Sequence, residues 1–103
     1  MSELEIDVRA DDDGTLVRLA GELDINTAPL LRAQIDQVDW PTTVTFLDLA
    51  DLSFVDSTGI GCLFKLHQRV TDLGGMVVAQ QPSPQLRRMM EVTQLNRFIA
   101  VVD

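Results

Sequence analysis

Strand-like and helix-like patterns alternate along this sequence, and their order constrains the fold more than any other feature. Apolar and polar residues alternate over residues 4–10, as in a half-buried strand, and residues 15–21 form a second strand after the turn-forming segment 11–14. Three helices and three strands follow in alternation: a helix from a cap at Asn26 or Thr27 to Trp40, a strand at 43–50, a helix from 56–58 to 74–75, a strand at 76–80, a helix at 83–91 and a strand at 98–102. The order β-β-α-β-α-β-α-β predicts an N-terminal antiparallel hairpin and then parallel strands joined by right-handed helical crossovers. We therefore expect one small α/β domain over residues 1–103, with a single mixed, mostly parallel sheet.

Charge limits the kinds of partner that such a domain binds. The chain has 103 residues with 16 acids against 8 Lys and Arg, giving a formal net charge of -8. Such a surface repels phosphate backbones and anionic lipid headgroups, so we expect neither nucleic acid nor a membrane as partner, but a protein with a basic docking face. The single cysteine excludes an internal disulfide, and no signal-peptide pattern or apolar run of about 20 residues is present. The expected location is the cytoplasm.

The two most polar and least regular segments follow predicted strands, at residues 22–26 and 51–58. Loops that leave the carboxyl ends of parallel strands lie at the same edge of a sheet. We therefore expect these two loops to form one surface, with Asp24 close to Ser57.

The segment DLSFVDSTGIGCLF, residues 51–64, raises the question of nucleotide binding or catalysis. Gly59 and Gly61 give a G-x-G pattern, but Phe64 occupies the place of the third glycine and no phosphate-binding P-loop pattern is present, so a nucleotide site is rejected. His67, the only histidine, lies ten residues after Ser57 on the same predicted helix, ~15 Å away, which is too far to activate that hydroxyl. His67 is expected to pack on the apolar face of the helix. One histidine and one cysteine also make a metal site unexpected.

Ser57 is better placed to accept a group from another protein's active site than to serve as a catalytic nucleophile of this one. It lies in the first turn of a helix, and we expect the backbone N–H groups of residues 58–60 to form an anion site for a phosphoryl group there. Gly59 and Gly61 are expected to keep that turn clear for the active site of another protein. The alternative from the residues alone is that Asp56 or Ser57 simply caps the helix, an interaction worth ~1 kcal/mol.

Three segments of the chain resemble a STAS domain of the bacterial anti-sigma factor antagonist family. They are LAGELDINTAPLL, DLSFVDSTGIGCLFKLHQRV and GGMVVAQQPSPQLRRMMEVTQLNRF, so the resemblance extends over essentially the whole chain. The resemblance implies that Ser57, which follows the second Asp of the D-L-S-x-x-D-S motif, is phosphorylated by an anti-sigma factor with serine kinase activity. It also assigns Asp24 and Asp56 to the acids of the family's site. Thr58 stays open as an alternative acceptor, since threonine is equally able to carry a phosphate.

The same resemblance implies a partner switch. Unphosphorylated protein binds the kinase and frees a sigma factor, phosphorylated protein releases the kinase, and a phosphatase of the PP2C type restores the first state. ATP is bound by the kinase, and the domain itself has no cofactor and catalyses no reaction. The residues expected to bind the partner are Asp24, Asp56, Ser57, Thr58, Gly59 and Gly61. The alternative is a STAS protein that is not phosphorylated and serves as a structural subunit of a transporter or of a stress-sensing complex.

Overall fold

A five-stranded sheet organises the structure, a computed structural model that describes residues 3–103. The strands are β1 (Leu4–Asp11), β2 (Gly14–Leu23), β3 (Val44–Val55), β4 (Met76–Gln80) and β5 (Ala100–Val102). The helices are α1 (Ala28–Gln37), α2 (Ser57–Asp72) and α3 (Pro84–Val92), and a 3-10 turn covers Leu95–Arg97. The strands lie side by side in chain order, with β1 antiparallel to β2 and all other neighbours parallel. The predicted α/β fold with a mixed, mostly parallel sheet is confirmed.

One face of the sheet carries the core. Because the parallel strands follow one another in chain order, right-handed crossovers place the helices on the same face. Burial agrees with this arrangement, since Val17 and Leu47 are buried while Leu16, which points to the other face, is 37% exposed. Between the sheet and the helices lie Leu19, Leu31, Ile35, Leu49, Leu63, Leu66, Val70 and Met90. This packing fixes the ends of β2 and β3 against the start of α2.

Strand β3 is longer than predicted, because it continues beyond Ala50 to Val55. Its polar residues 51 and 53 suggested a loop, but both side chains find partners in the neighbouring strand. Asp51 forms an ion pair with Arg18 at 2.5 Å, and the Ser53 hydroxyl donates to the Gly21 carbonyl oxygen at 2.9 Å. The predicted loop 51–58 is therefore mostly strand, and two register shifts let β2 continue beside it to Leu23.

The last strand begins later than predicted. Phe98 and Ile99 belong to the end of the 3-10 turn, where both of their N–H groups donate to the Leu95 carbonyl oxygen at 3.0 Å. Pairing with β4 begins only at Ala100. In the part of the chain from residue 3 onward, no helix is long and apolar enough to cross a membrane.

Candidate functional site

The ends of β2 and β3 form one surface, as the loop argument predicted. The Asp56 N–H donates to the Leu23 carbonyl oxygen at 3.2 Å, and the Ile25 N–H donates to Asp56 Oδ2 at 3.1 Å. These two bonds join the β2–α1 loop directly to the start of α2. Asp24 lies between Leu23 and Ile25, which form these bonds, and Ser57 directly follows Asp56.

Asp56 is the N-cap of α2. Its extended backbone directs Oδ1 to accept the Gly59 N–H at 2.8 Å, while its main-chain oxygen accepts the Ile60 N–H at 3.0 Å. The capping alternative is therefore confirmed for Asp56. The expected anion site at residues 58–60 is wrong in its main part, because two of those three N–H groups already have acceptors. A phosphoryl group on Ser57 would lie beside the Asp56 carboxylate, and the Gly59 and Ile60 N–H groups would not be free to bind it.

The two candidate hydroxyl groups differ in accessibility. Ser57 is the first residue of α2 and is exposed, whereas Thr58 is half-buried. A partner that approaches the start of this helix therefore meets the Ser57 hydroxyl first.

The two glycines of the motif have different roles. Gly59 is buried, and a Cβ atom added there would lie 2.5 Å from the Leu23 carbonyl oxygen and 2.8 Å from Val55 Cγ1. Its missing side chain lets α2 pack against the end of β2, so the expectation that it keeps the outer surface clear is wrong. Gly61 is exposed, and nothing lies within 4 Å of the equivalent Cβ position, which fits that expectation.

Asp24 organises the β2–α1 loop from within. Its Oδ1 accepts the N–H groups of Asn26 at 2.9 Å and Thr27 at 3.0 Å. The Thr27 hydroxyl accepts the Asp24 N–H at 3.0 Å and donates to the Glu22 carbonyl oxygen at 2.8 Å. Thr27 is the N-cap residue of α1, as predicted, but its side chain forms no cap hydrogen bond there. The Asp24 carboxylate binds N–H groups that precede Ala28, the first residue of the helix.

This loop borders a polar depression of about 580 Å³, which we call the acidic hollow. Its lining includes Glu22, Asp24, Asn26 and Ser53. With Glu3, three acidic residues line this small concave area and give it a negative potential.

His67 takes no part in this surface. Its ring packs against Phe64 and Phe98, with centroid separations of 5.8 and 5.7 Å, as expected for the apolar face of α2. Burial lowers the pKa of His67, and its Nδ1 atom is buried without a hydrogen-bond partner among residues 3–103. Within the same residues, no three His, Cys, Asp or Glu side chains are arranged to hold a metal ion.

Comparison with known proteins agrees with the fold and with the family resemblance. The STAS domain family model matches residues 5–103. The anti-sigma-B factor antagonist of Bacillus subtilis is 29% identical over 98 residues, which cover 95% of this chain and 90% of that protein. The crystal structure of an anti-sigma factor antagonist from Mycobacterium paratuberculosis superposes with a TM-score of 0.85 at 25% identity, covering 97% of this chain and 86% of the other.

A transporter provides a more distant likeness. The murine anion transporter Slc26a9 matches with a TM-score of 0.72 at 18% identity, over 89% of this chain but 16% of the transporter. That likeness concerns the fold alone. The antagonist names describe regulators and not enzymes, in agreement with the prediction that the chain catalyses no reaction. From the family model and the antagonists that match along nearly their whole length, the chain belongs to the STAS domain family and groups with its bacterial anti-sigma factor antagonists.

Proposed function

We propose that this protein is a phosphorylation-controlled antagonist of an anti-sigma factor, with the Ser57 hydroxyl as the phosphate acceptor. The observation that carries the proposal is an exposed serine at the start of α2, next to a carboxylate that accepts the Gly59 and Ile25 N–H groups. Such a hydroxyl is open to the active site of another protein. An added charge there lies beside the Asp56 carboxylate.

In the proposed cycle the unphosphorylated protein binds an anti-sigma factor with serine kinase activity, and a sigma factor is released. The kinase holds ATP, and Ser57 Oγ attacks the γ-phosphorus. The new O–P bond replaces the bond to ADP, and the hydroxyl proton passes to a base of the kinase. A PP2C-type phosphatase then hydrolyses the phosphoserine, and all three proteins act in the cytoplasm.

Electrostatics gives the reason for release. A phosphoserine carries about -1.5 to -2 charge at pH 7. At residue 57 this charge is added beside Asp56 and near the acidic hollow, where the carboxylate of Asp56 already accepts the Gly59 and Ile25 N–H groups. Covering that added charge with a partner costs desolvation energy and increases repulsion with the neighbouring carboxylates, so the contact weakens without any refolding of the domain.

Exposure also favours Ser57 over Thr58. A kinase must bring the acceptor oxygen in line with the γ-phosphate, which requires access from solvent. Ser57 meets that requirement at the surface, while Thr58 is half-buried.

The alternative proposal is a structural subunit of a transporter or of a stress-sensing complex. The likeness to Slc26a9 supports only a shared fold. An exposed acceptor serine within the antagonist motif favours the switch.

The test is phosphorylation by a panel of recombinant anti-sigma factor serine kinases from the source organism, each with ATP, followed by intact-mass and fragment spectra. We expect one phosphate on the wild-type protein, none on Ser57→Ala, and one on the matched control Thr58→Ala. A phosphate retained in Ser57→Ala and mapped to Thr58 would move the acceptor by one residue. Wild-type protein that no kinase modifies, recovered instead with a membrane transport complex, would support the alternative.

A further inference from the structure

A second depression beside Ser57, which we call the apolar groove, has no role in the site as described so far. It encloses about 370 Å³ and shares no lining residue with the acidic hollow. Its lining comes from the first two turns of α2 and from the segment after α3, namely Ser57, Ile60, Gly61, Phe64, Thr93, Leu95 and Phe98. Most of these side chains are apolar, and none is charged.

Helix geometry makes the groove continuous with the acceptor serine. Residues 57, 60, 61 and 64 are spaced at i, i+3, i+4 and i+7, so they form one stripe along α2. Ser57 and Phe64 are separated by about 10 Å along the helix axis. A protein that brings its active site onto the Ser57 hydroxyl therefore also covers the groove.

Phe98 is held at the surface by its backbone. Its side chain is 52% exposed, while Leu95 and Ile99, on either side of it in the turn, are 3% and 0% exposed. The N–H groups of Phe98 and Ile99 both donate to the Leu95 carbonyl oxygen at 3.0 Å, and the ring packs edge-on against Phe64 with a centroid separation of 5.1 Å. An exposed aromatic side chain fixed in this way loses little conformational entropy on binding, which is typical of residues that dominate interface energies.

We propose that the apolar groove is a docking site for an apolar side chain of the serine kinase that phosphorylates Ser57. This inference rests on the proposed function. We assign the groove to the kinase because Ser57 forms part of the groove lining and the kinase must reach that residue. A second copy of this chain seated in the groove would cover Ser57 and exclude the kinase.

The groove also explains how a single phosphate weakens the whole contact. The phosphoserine would stand at the edge of an apolar contact, where a charge loses water without gaining a partner. Phosphorylation therefore opposes docking in the groove as well as increasing the negative charge near the acidic hollow.

The experiment compares kinase affinity among three variants that change single features. Gly61→Met places a side chain into the groove at a position where nothing lies within 4 Å, and methionine favours a helix more than glycine does. Phe98→Ala removes the exposed ring. The control is Leu73→Ala, which removes a 44% exposed side chain just beyond the other end of α2, about 24 Å from Ser57 along the helix.

Calorimetry with the kinase that modifies the wild-type protein gives the dissociation constants, and thermal melting checks each fold. We expect Gly61→Met and Phe98→Ala to weaken binding about tenfold or more, with Leu73→Ala unchanged and Gly61→Met melting no lower than wild type. Wild-type affinity in both groove variants would overturn the docking site while leaving the phosphorylation switch intact. If no kinase binds or modifies the wild-type protein, the proposed function fails and the docking site fails with it. A wild-type dimer that Gly61→Met converts to a monomer would assign the groove to a second copy, and would also overturn the proposal.

Discussion

The two surfaces that flank Ser57 are stabilised in different ways. The acidic hollow is bordered by a loop whose polar groups bond to one another, with Asp24 binding its own loop backbone and Asp56 joining that loop to α2. In the apolar groove the rings of Phe64 and Phe98 pack edge to face and leave the Phe98 side chain half exposed. The carboxylates of Asp24 and Asp56 thus bind backbone N–H groups of the chain itself before any partner arrives, whereas the apolar area of the groove is available for a partner.

This difference predicts a division of effects between stability and binding. Substitutions that disturb the loop junction near Asp56 should lower the free energy of unfolding. Substitutions in the groove should leave the fold intact and change affinity, as the Gly61→Met and Phe98→Ala comparison tests.

The largest effect is expected for Gly59→Ala. Its new Cβ atom would lie 2.5 Å from the Leu23 carbonyl oxygen, so α2 has to move away from the end of β2. We expect the free energy of unfolding to fall by about 2 to 3 kcal/mol, because overpacking outweighs the gain in helix propensity. Urea denaturation measures this free energy. The matched control is Gly61→Ala, for which we expect the free energy of unfolding to rise by about 0.5 to 1 kcal/mol. Equal stability changes at the two glycines would contradict the distinct roles assigned to them.

The element order and the meeting of the two loops were predictable from the sequence, because both depend on local periodicity and on the geometry of parallel sheets. The full extent of β3 was not predictable. Asp51 and Ser53 have the composition of a loop, and their partners Arg18 and Gly21 lie more than thirty residues away in the chain.

Two details of the site were also not predictable, because they depend on contacts that the local sequence pattern does not show. Gly59 and Gly61 are equivalent in the motif, and only the approach of Leu23 and Val55 makes one of them structural. Phe98 fitted the apolar pattern of a strand, but the hydrogen bonds to Leu95 turn it outward.

An intermediate effect is expected for Asp56→Ala, which removes the carboxylate that joins the two loops. The Gly59 N–H loses its acceptor at the helix start, and the Ile25 N–H turns to solvent. We expect a loss of about 1 to 2 kcal/mol in the free energy of unfolding, as for other N-cap deletions. Asp56→Asn is the matched control, since asparagine caps helices nearly as well and should retain most of that stability in the same denaturation assay. Asparagine has one acceptor oxygen, so it can keep the cap bond to Gly59 but not the second bond to Ile25. Comparable losses in the two variants would indicate that the bond to Ile25 or the charge of Asp56, and not the cap bond, stabilises the junction.

The smallest effect is expected for the pH dependence of stability, through His67. Its ring contacts the rings of Phe64 and Phe98, which line the apolar groove. Burial lowers the pKa of His67 in the folded protein, so the unfolded chain binds a proton at a higher pH than the folded chain does. As the pH falls through about 6.5, the ordinary histidine pKa, the unfolded chain takes up a proton that the folded chain does not yet bind. The free energy of unfolding therefore decreases with falling pH until the lower pKa of the folded protein is passed. From about one pH unit above the ordinary histidine pKa, both states are neutral and the contribution is constant.

His67→Gln removes this proton uptake and serves as the comparison. Between pH 7.5 and pH 5.5, we expect the free energy of unfolding of the wild-type protein to fall more steeply than that of the variant, with carboxylate titration common to both. Denaturation curves at several pH values measure the two slopes. Parallel slopes would mean that the imidazole is as well solvated in the folded chain as in the unfolded one. In that case the rings of Phe64 and Phe98 would not shield the imidazole of His67 from water.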